Sequence, residues 1–177
     1  IGKKFLEDFC LLQVNKAAFV LSLMAVIAAV FNIVNASMCK LCHNHRVLFL
    51  KGASLVTFAT LSFICLSLYF NYRNIGIAIA FFILAANASL SSLLVPVLRL
   101  TNLKAVSSTA VSVMNFCFFT MVGILGSLTG FLLNVFEPAY HDGVCVYSTN
   151  SYLLVFGLFL LLSIFEMYKA MKLSDKY

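Results

Sequence analysis

The chain has 177 residues, of which 63% are hydrophobic and only 10% charged, at a mean hydropathy of +1.04. A water-soluble domain has about 45–50% apolar and about 25% charged residues, so this chain has too little polar surface to cover a soluble core. Its net charge of +6 lies on lysines and arginines between apolar blocks, a placement that points to topology and lipid headgroups rather than to nucleic acid.

The apolar blocks run to twenty residues or more, about the length an α-helix needs to cross roughly 30 Å of hydrocarbon. The ten-residue alternation of a transmembrane β-barrel is absent. In lipid the backbone must satisfy its own hydrogen bonds, so the expected fold class is all-α: a polytopic transmembrane bundle of about five helices, embedded in a lipid bilayer. Residues 1–16 are mixed in polarity, with Phe5, Leu6, Phe9, Leu11 and Leu12 in an amphipathic pattern. They are expected to be the end of a preceding helix or an interfacial segment. The bundle is expected over 17–171, with spans near 17–38, 47–70, 75–98, 106–136 and 152–171, and 172–177 as a cytoplasmic tail. The fourth block would make about 45 Å of helix and must tilt or protrude.

Alternating spans put Lys40, Arg46, Lys51, Arg99, Lys104, Lys169, Lys172 and Lys176 on one side of the membrane. Lys3, Lys4, Lys16 and Arg73 fall on the other, with Glu7, Asp8, Glu137 and Asp142. The excess of positive charge predicts a cytoplasmic C-terminus and an external loop over 137–151.

Several polar side chains fall inside spans. The first carries Asn32 and Asn35 on one helix face; the third carries Asn87, Ser89, Ser91, Ser92 and Pro96. In the fourth, Ser108, Ser112 and Asn115 share a face. Asn32, Asn87 and Asn115 are the candidates for lining a polar cavity that binds a solute. The competing reading is hydrogen bonding between helices, since an unpaired amide in lipid costs several kcal/mol. Gly126 and Gly130 form a GxxxG pair, with Gly123 one turn earlier. Small residues of this kind let helix backbones approach and pack. Glu166 is the sole acid within a span, and Lys169 and Lys172 lie close enough along the helix for a local ion pair with snorkelling.

Cys39-Lys40-Leu41-Cys42-His43, followed by His45, matches the c-type haem attachment pattern and offers four zinc-ligand types. The expected cytoplasmic location is the wrong side for haem attachment, and the spacing is not that of a zinc finger. Plain loop thiols are the expectation, with no metal and no cofactor. Cys10 and Cys145 fall on one side and a bridge between them is left open. Cys65 and Cys117 lie in spans as small hydrophobes. No nucleophile elbow, phosphate loop, zinc-protease helix or paired catalytic carboxylates occur, so an enzyme is not expected.

The order of these features resembles the C-terminal half of a major facilitator superfamily transporter, from the eighth to the twelfth helix, most similar to the bacterial metabolite and sugar-phosphate permeases. Three stretches carry the resemblance. Residues 36–46 occupy the place of the family's cytoplasmic signature loop. Ser108-Thr109-Ala110-Val111-Ser112-Val113-Met114-Asn115 is similar to the Gly-Thr-Ala-x-Gly-x-x-Asn start of its eleventh helix, and Gly123 to Leu133 to that helix's later glycine pattern. The sequence departs from the family at Lys40 and Leu41, which replace an Asp-Arg pair, and at Ser108 and Ser112, which replace glycines.

The resemblance implies a secondary active transporter that moves a small polar or organic-anion solute by alternating access. Lys40, His45 and Arg46 would belong to its gating loop. It implies a multi-pass protein of the bacterial inner (cell) membrane, whose N-terminal half, missing before Ile1, would be the main partner of these helices. The alternative is a diverged, non-transporting membrane protein with a sensing or scaffolding role, which the altered loop favours.

Overall fold

A computed structural model describes residues 2–41, 46–89, 94–141 and 144–173. The chain is essentially all-α. The helices are α1 (Gly2–Asp8), α2 (Val14–Leu41), α3 (Arg46–Tyr69), α4 (Gly76–Ala88), α5 (Leu94–Thr101), α6 (Ser107–Leu133) and α7 (Thr149–Met171), with strands β1 (Ala139–His141) and β2 (Val144–Val146) between α6 and α7. The four stretches long and apolar enough to cross a membrane are Val14–Asn35, Val47–Tyr69, Ser107–Leu133 and Thr149–Met171. The protein is therefore a multi-pass membrane helix bundle.

The third expected span is the one that differs. Across 75–98 the described helices are α4, which ends at Ala88, and α5, from Leu94, and residues 90–93 between them lie outside the described residues. With 13 residues, α4 reaches only about 20 Å, short of a hydrocarbon core of roughly 30 Å. Pro96 lies within α5, three residues into its described range.

Local signals set the other ends. Asn71, at φ 51°, closes α3 in a Schellman motif. Tyr72 N donates to Ser67 O at 2.7 Å and Asn71 N to Leu68 O at 3.1 Å, which satisfies two carbonyls the helix leaves open. Leu11, at φ 53°, turns the chain out of the α1 segment toward α2. Gly76 opens α4 where a Cβ would lie 2.8 Å from Asn74 Oδ1 and 3.1 Å from Phe63 Cζ, an approach that glycine alone accommodates without a shift. Ser148 caps α7 by accepting from Ser151 N at 3.2 Å. The strands pair antiparallel, with Tyr140 opposite Cys145.

The most extensive helix contact is α3 on α7, followed by α4 against α2 and α3; α6 packs on α5 and α7, and α1 on α2. The buried core gathers toward the end of the bundle that carries α1. Phe5, Leu6 and Phe9 sit there with Ala17, Ile64, Ile77, Phe81, Tyr152, Val155 and Phe156. Phe5 is the hub: its ring centroid lies 4.8 Å from Phe156, 5.1 Å from Tyr152, 5.5 Å from Phe9 and 5.7 Å from Phe81. These are the offset and edge-on separations that aromatic quadrupoles favour.

A charged clasp lies beside this cluster. The Asp8 side chain is 3% exposed and pairs with Lys4 Nζ at 2.8 Å. Its Oδ2 accepts from Tyr152 OH at 2.8 Å and from Tyr147 N at 3.0 Å. One carboxylate thus joins α1 to the segment after β2 and to the first turn of α7. Tyr152→Phe removes one donor and should cost about 1.5–3 kcal/mol, the range for a hydrogen bond to a charged group. Unfolding in detergent followed by circular dichroism measures it; an unshifted transition would show that the Tyr152 hydroxyl does not help to hold α1.

Candidate functional site

Two of the span asparagines, Asn35 and Asn87, meet at a groove between α2, α3 and α4. It has a volume of about 570 Å3, and Phe31, Asn35, Gly52, Ala53, Val56 and Asn87 are among its lining residues. Two sets of hydrogen bonds tie α4 to its neighbours there. Asn35 Nδ2 donates to Ser89 Oγ at 2.8 Å, joining α2 to the C-cap of α4. Asn87 Nδ2 donates to Ala53 O at 2.7 Å and to Thr57 Oγ1, joining α4 to α3. Thr57 Oγ1 also donates to Ala53 O, at 3.0 Å. Gly52 faces open space, with nothing within 4 Å of where a Cβ would stand. No charged side chain is among the described lining residues. The groove is a mostly apolar surface with carboxamides at one end, suited to a neutral molecule carrying a few hydrogen-bonding groups.

The structure brings Asn87 to this groove, together with Asn35. Asn32 is exposed on α2, and Asn115 is exposed on α6, away from the groove lining. Among the described residues nothing stands within 4 Å of where a Cβ would lie at Gly123, Gly126 or Gly130 of α6, so no described helix packs closely on them. Of the proposed gating loop, Lys40 falls in the last turn of α2 and Arg46 opens α3, while His45 lies outside the described residues. The Cys39–His45 pattern lies largely outside them too, and the described residues hold no group of His, Cys, Asp and Glu that could bind a metal.

Glu166 is exposed and makes no ion pair among the described residues, in contrast to the expected local pair. The neighbouring lysines turn to rings instead: Lys169 Nζ lies 5.3 Å over Phe165, and Lys172 Nζ lies 4.3 Å over Tyr168 while donating to its hydroxyl. Attraction between a cation and an aromatic face competes with a carboxylate here.

Asn35, Ser89 and Thr57 complete the groove's polar ties without having been singled out as site residues. Asn35 could be read as sharing a face with Asn32, but choosing between them needs the position of α4. Ala53 O and Thr57 carry no sequence signal as acceptors, because the α3–α4 register decides it. The β1–β2 pair was also missed, although Asp142-Gly143 between short β-forming runs is a hairpin signal.

Cys10 and Cys145 are both free thiols. Burial pushes the Cys10 thiol up to about 11, with Arg73 nearby pulling it partly back.

Two measurements follow. Asn87→Leu should lower stability in detergent by about 0.6–2 kcal/mol, the range for interhelical hydrogen bonds, while Asn115→Leu should leave it unchanged; equal losses would remove the distinction drawn between them. Alkylation of Cys10 should rise with pH toward a midpoint near 11 in the folded protein and near the ordinary thiol value of about 8.5 after unfolding, because the buried thiol keeps its proton over the interval between. Coincident profiles would show an exposed thiol. No family model matches this chain, and neither does any curated protein or solved structure.

Proposed function

We propose that the chain forms one wall of a secondary active transporter, of the major facilitator kind that its sequence resembles, and that the α2–α3–α4 groove is its solute path. The observation that carries this reading is the end of α4. A helix of 13 residues stops after about 20 Å, and its C-cap Ser89 stands beside the Asn35 and Asn87 bonds at the groove. Helix ends at membrane depth are tolerated where they are covered by protein or line a cavity, and discontinuous helices are the usual builders of carrier binding sites.

Within the class of small polar or organic-anion solutes, the uncharged lining favours a neutral solute with hydrogen-bonding groups. In this reading the site alternates between the two faces of a bacterial inner membrane, with the C-terminus cytoplasmic. A second reading, a non-transporting protein that scaffolds or senses, is favoured by the bare glycine face of α6, which suits assembly with another helix.

The two readings differ in whether water reaches the groove. A single cysteine introduced as Gly52→Cys, in a variant lacking the other cysteines, is exposed in proteoliposomes to a membrane-impermeant methanethiosulfonate. The carrier reading expects modification, and protection of that cysteine by a transported solute. Modification only by a membrane-permeant reagent would mean that the groove faces lipid, and the carrier reading would fail.

A further inference from the structure

The α1 end of the bundle holds a second cavity, of about 420 Å3, which shares no lining residue with the groove. Its polar wall contains Lys16, in the first turn of α2, and Arg73 and Asn74, in the connection from α3 to α4. Its apolar wall includes Leu12, Phe19 and Ile75.

The local fold explains why a guanidinium stands there. The Schellman turn brings Asn71 back over the helix end, and Asn71 Oδ1 accepts from Arg73 Nε at 3.2 Å. The guanidinium carbon lies 5.5 Å from the centroid of the Phe9 ring. These contacts orient Arg73 and leave its terminal N–H donors without a carboxylate. Among the described residues the ion pairs are Lys3–Glu7 and Lys4–Asp8, so neither Lys16 nor Arg73 is neutralised. Cys10, also in the lining, keeps its proton at neutral pH and does not offset them. Asn74 Oδ1 is buried with no donor. The cavity is therefore positively charged at its polar wall.

Two observations select the occupant. Both cations stand at headgroup level: Lys16 is within the first turn of the span that begins at Val14, and Arg73 lies just beyond the span that ends at Tyr69. Phe19 and Ile75 line the cavity yet are 67% and 81% exposed, so its apolar wall runs out onto the lipid-facing surface. A soluble anion would use the charges and leave that track empty. A lipid anion uses both.

We propose that this cavity binds one anionic phospholipid, with its phosphate held by Lys16 and Arg73 and an acyl chain laid along Phe19 and Ile75. The site is independent of the carrier reading and would exist in a scaffold as well.

The test uses the full chain purified in a non-ionic detergent, with bound lipid counted by native mass spectrometry. It is titrated with phosphatidylglycerol, with phosphatidylcholine of the same acyl chains, and with inorganic phosphate as competitor. The expected result is one phosphatidylglycerol per chain, held about tenfold or more tighter than phosphatidylcholine and not displaced by inorganic phosphate. The double variant Lys16→Gln, Arg73→Gln should weaken binding by about tenfold or more, whereas Lys169→Gln, Lys172→Gln, which removes equal charge at the opposite end, should not. Ala78→Trp, which fills the cavity and keeps its charges, should weaken binding too, and Lys16→Arg should retain it. Equal retention of the two lipids, displacement by inorganic phosphate, or unchanged binding by the double variant and by Ala78→Trp would each overturn the proposal.

Discussion

A carboxylate withdrawn from water must find its countercharge and its donors within the protein. Asp8 does so with Lys4, the Tyr152 hydroxyl and the Tyr147 amide, and much of the architecture depends on that arrangement. It holds a seven-residue helix, too short to persist alone, against the end of the bundle. Phe5 can then fill the space among Phe81, Tyr152 and Phe156. With α1 in place, Phe9 offers its ring to Arg73, which completes the charged wall of the lipid cavity.

The two halves of the bundle cohere by different means. Near α1 the helices meet through buried rings and aliphatic side chains. Toward the other end of α4 the ties are amides and hydroxyls, Asn35 with Ser89 and Asn87 with Ala53 and Thr57. Large side chains on α6, such as Phe116, Phe119 and Phe131, are 69–71% exposed. In water such a face would be a liability. In a bilayer acyl chains solvate it at little cost, so apolar exposure gives no drive for helices to associate, and polar contacts and close packing must supply it.

The membrane architecture was legible in the sequence because span length and backbone self-satisfaction leave few choices. The expected spans at 17–38, 47–70, 106–136 and 152–171 correspond to α2, α3, α6 and α7, with ends displaced by a few residues. What could not be read depended on neighbours or on short-range chemistry. The turn at Leu11, a residue type that rarely takes positive φ, had no forecast. Of the asparagines, Asn87 meets the groove because α4 lies between α2 and α3, whereas Asn32 and Asn115 are turned outward on their own helices. Helical periodicity gives the face a residue shares; it does not say which helix stands opposite. Glu166 was legible as an intramembrane acid, but the preference of its lysine neighbours for Phe165 and Tyr168 was not.

The clasp at Asp8 also orders events in time. Its Oδ2 meets groups 139 and 144 residues further along the chain. As the polypeptide leaves the ribosome and enters the bilayer, the α1 segment emerges well before the helix that receives it. Until α7 has been inserted, Asp8 lacks the Tyr147 and Tyr152 donors, and Phe5 lacks its contacts with Tyr152 and Phe156. Docking of this segment therefore follows the insertion of α7, and it reports that this span has arrived.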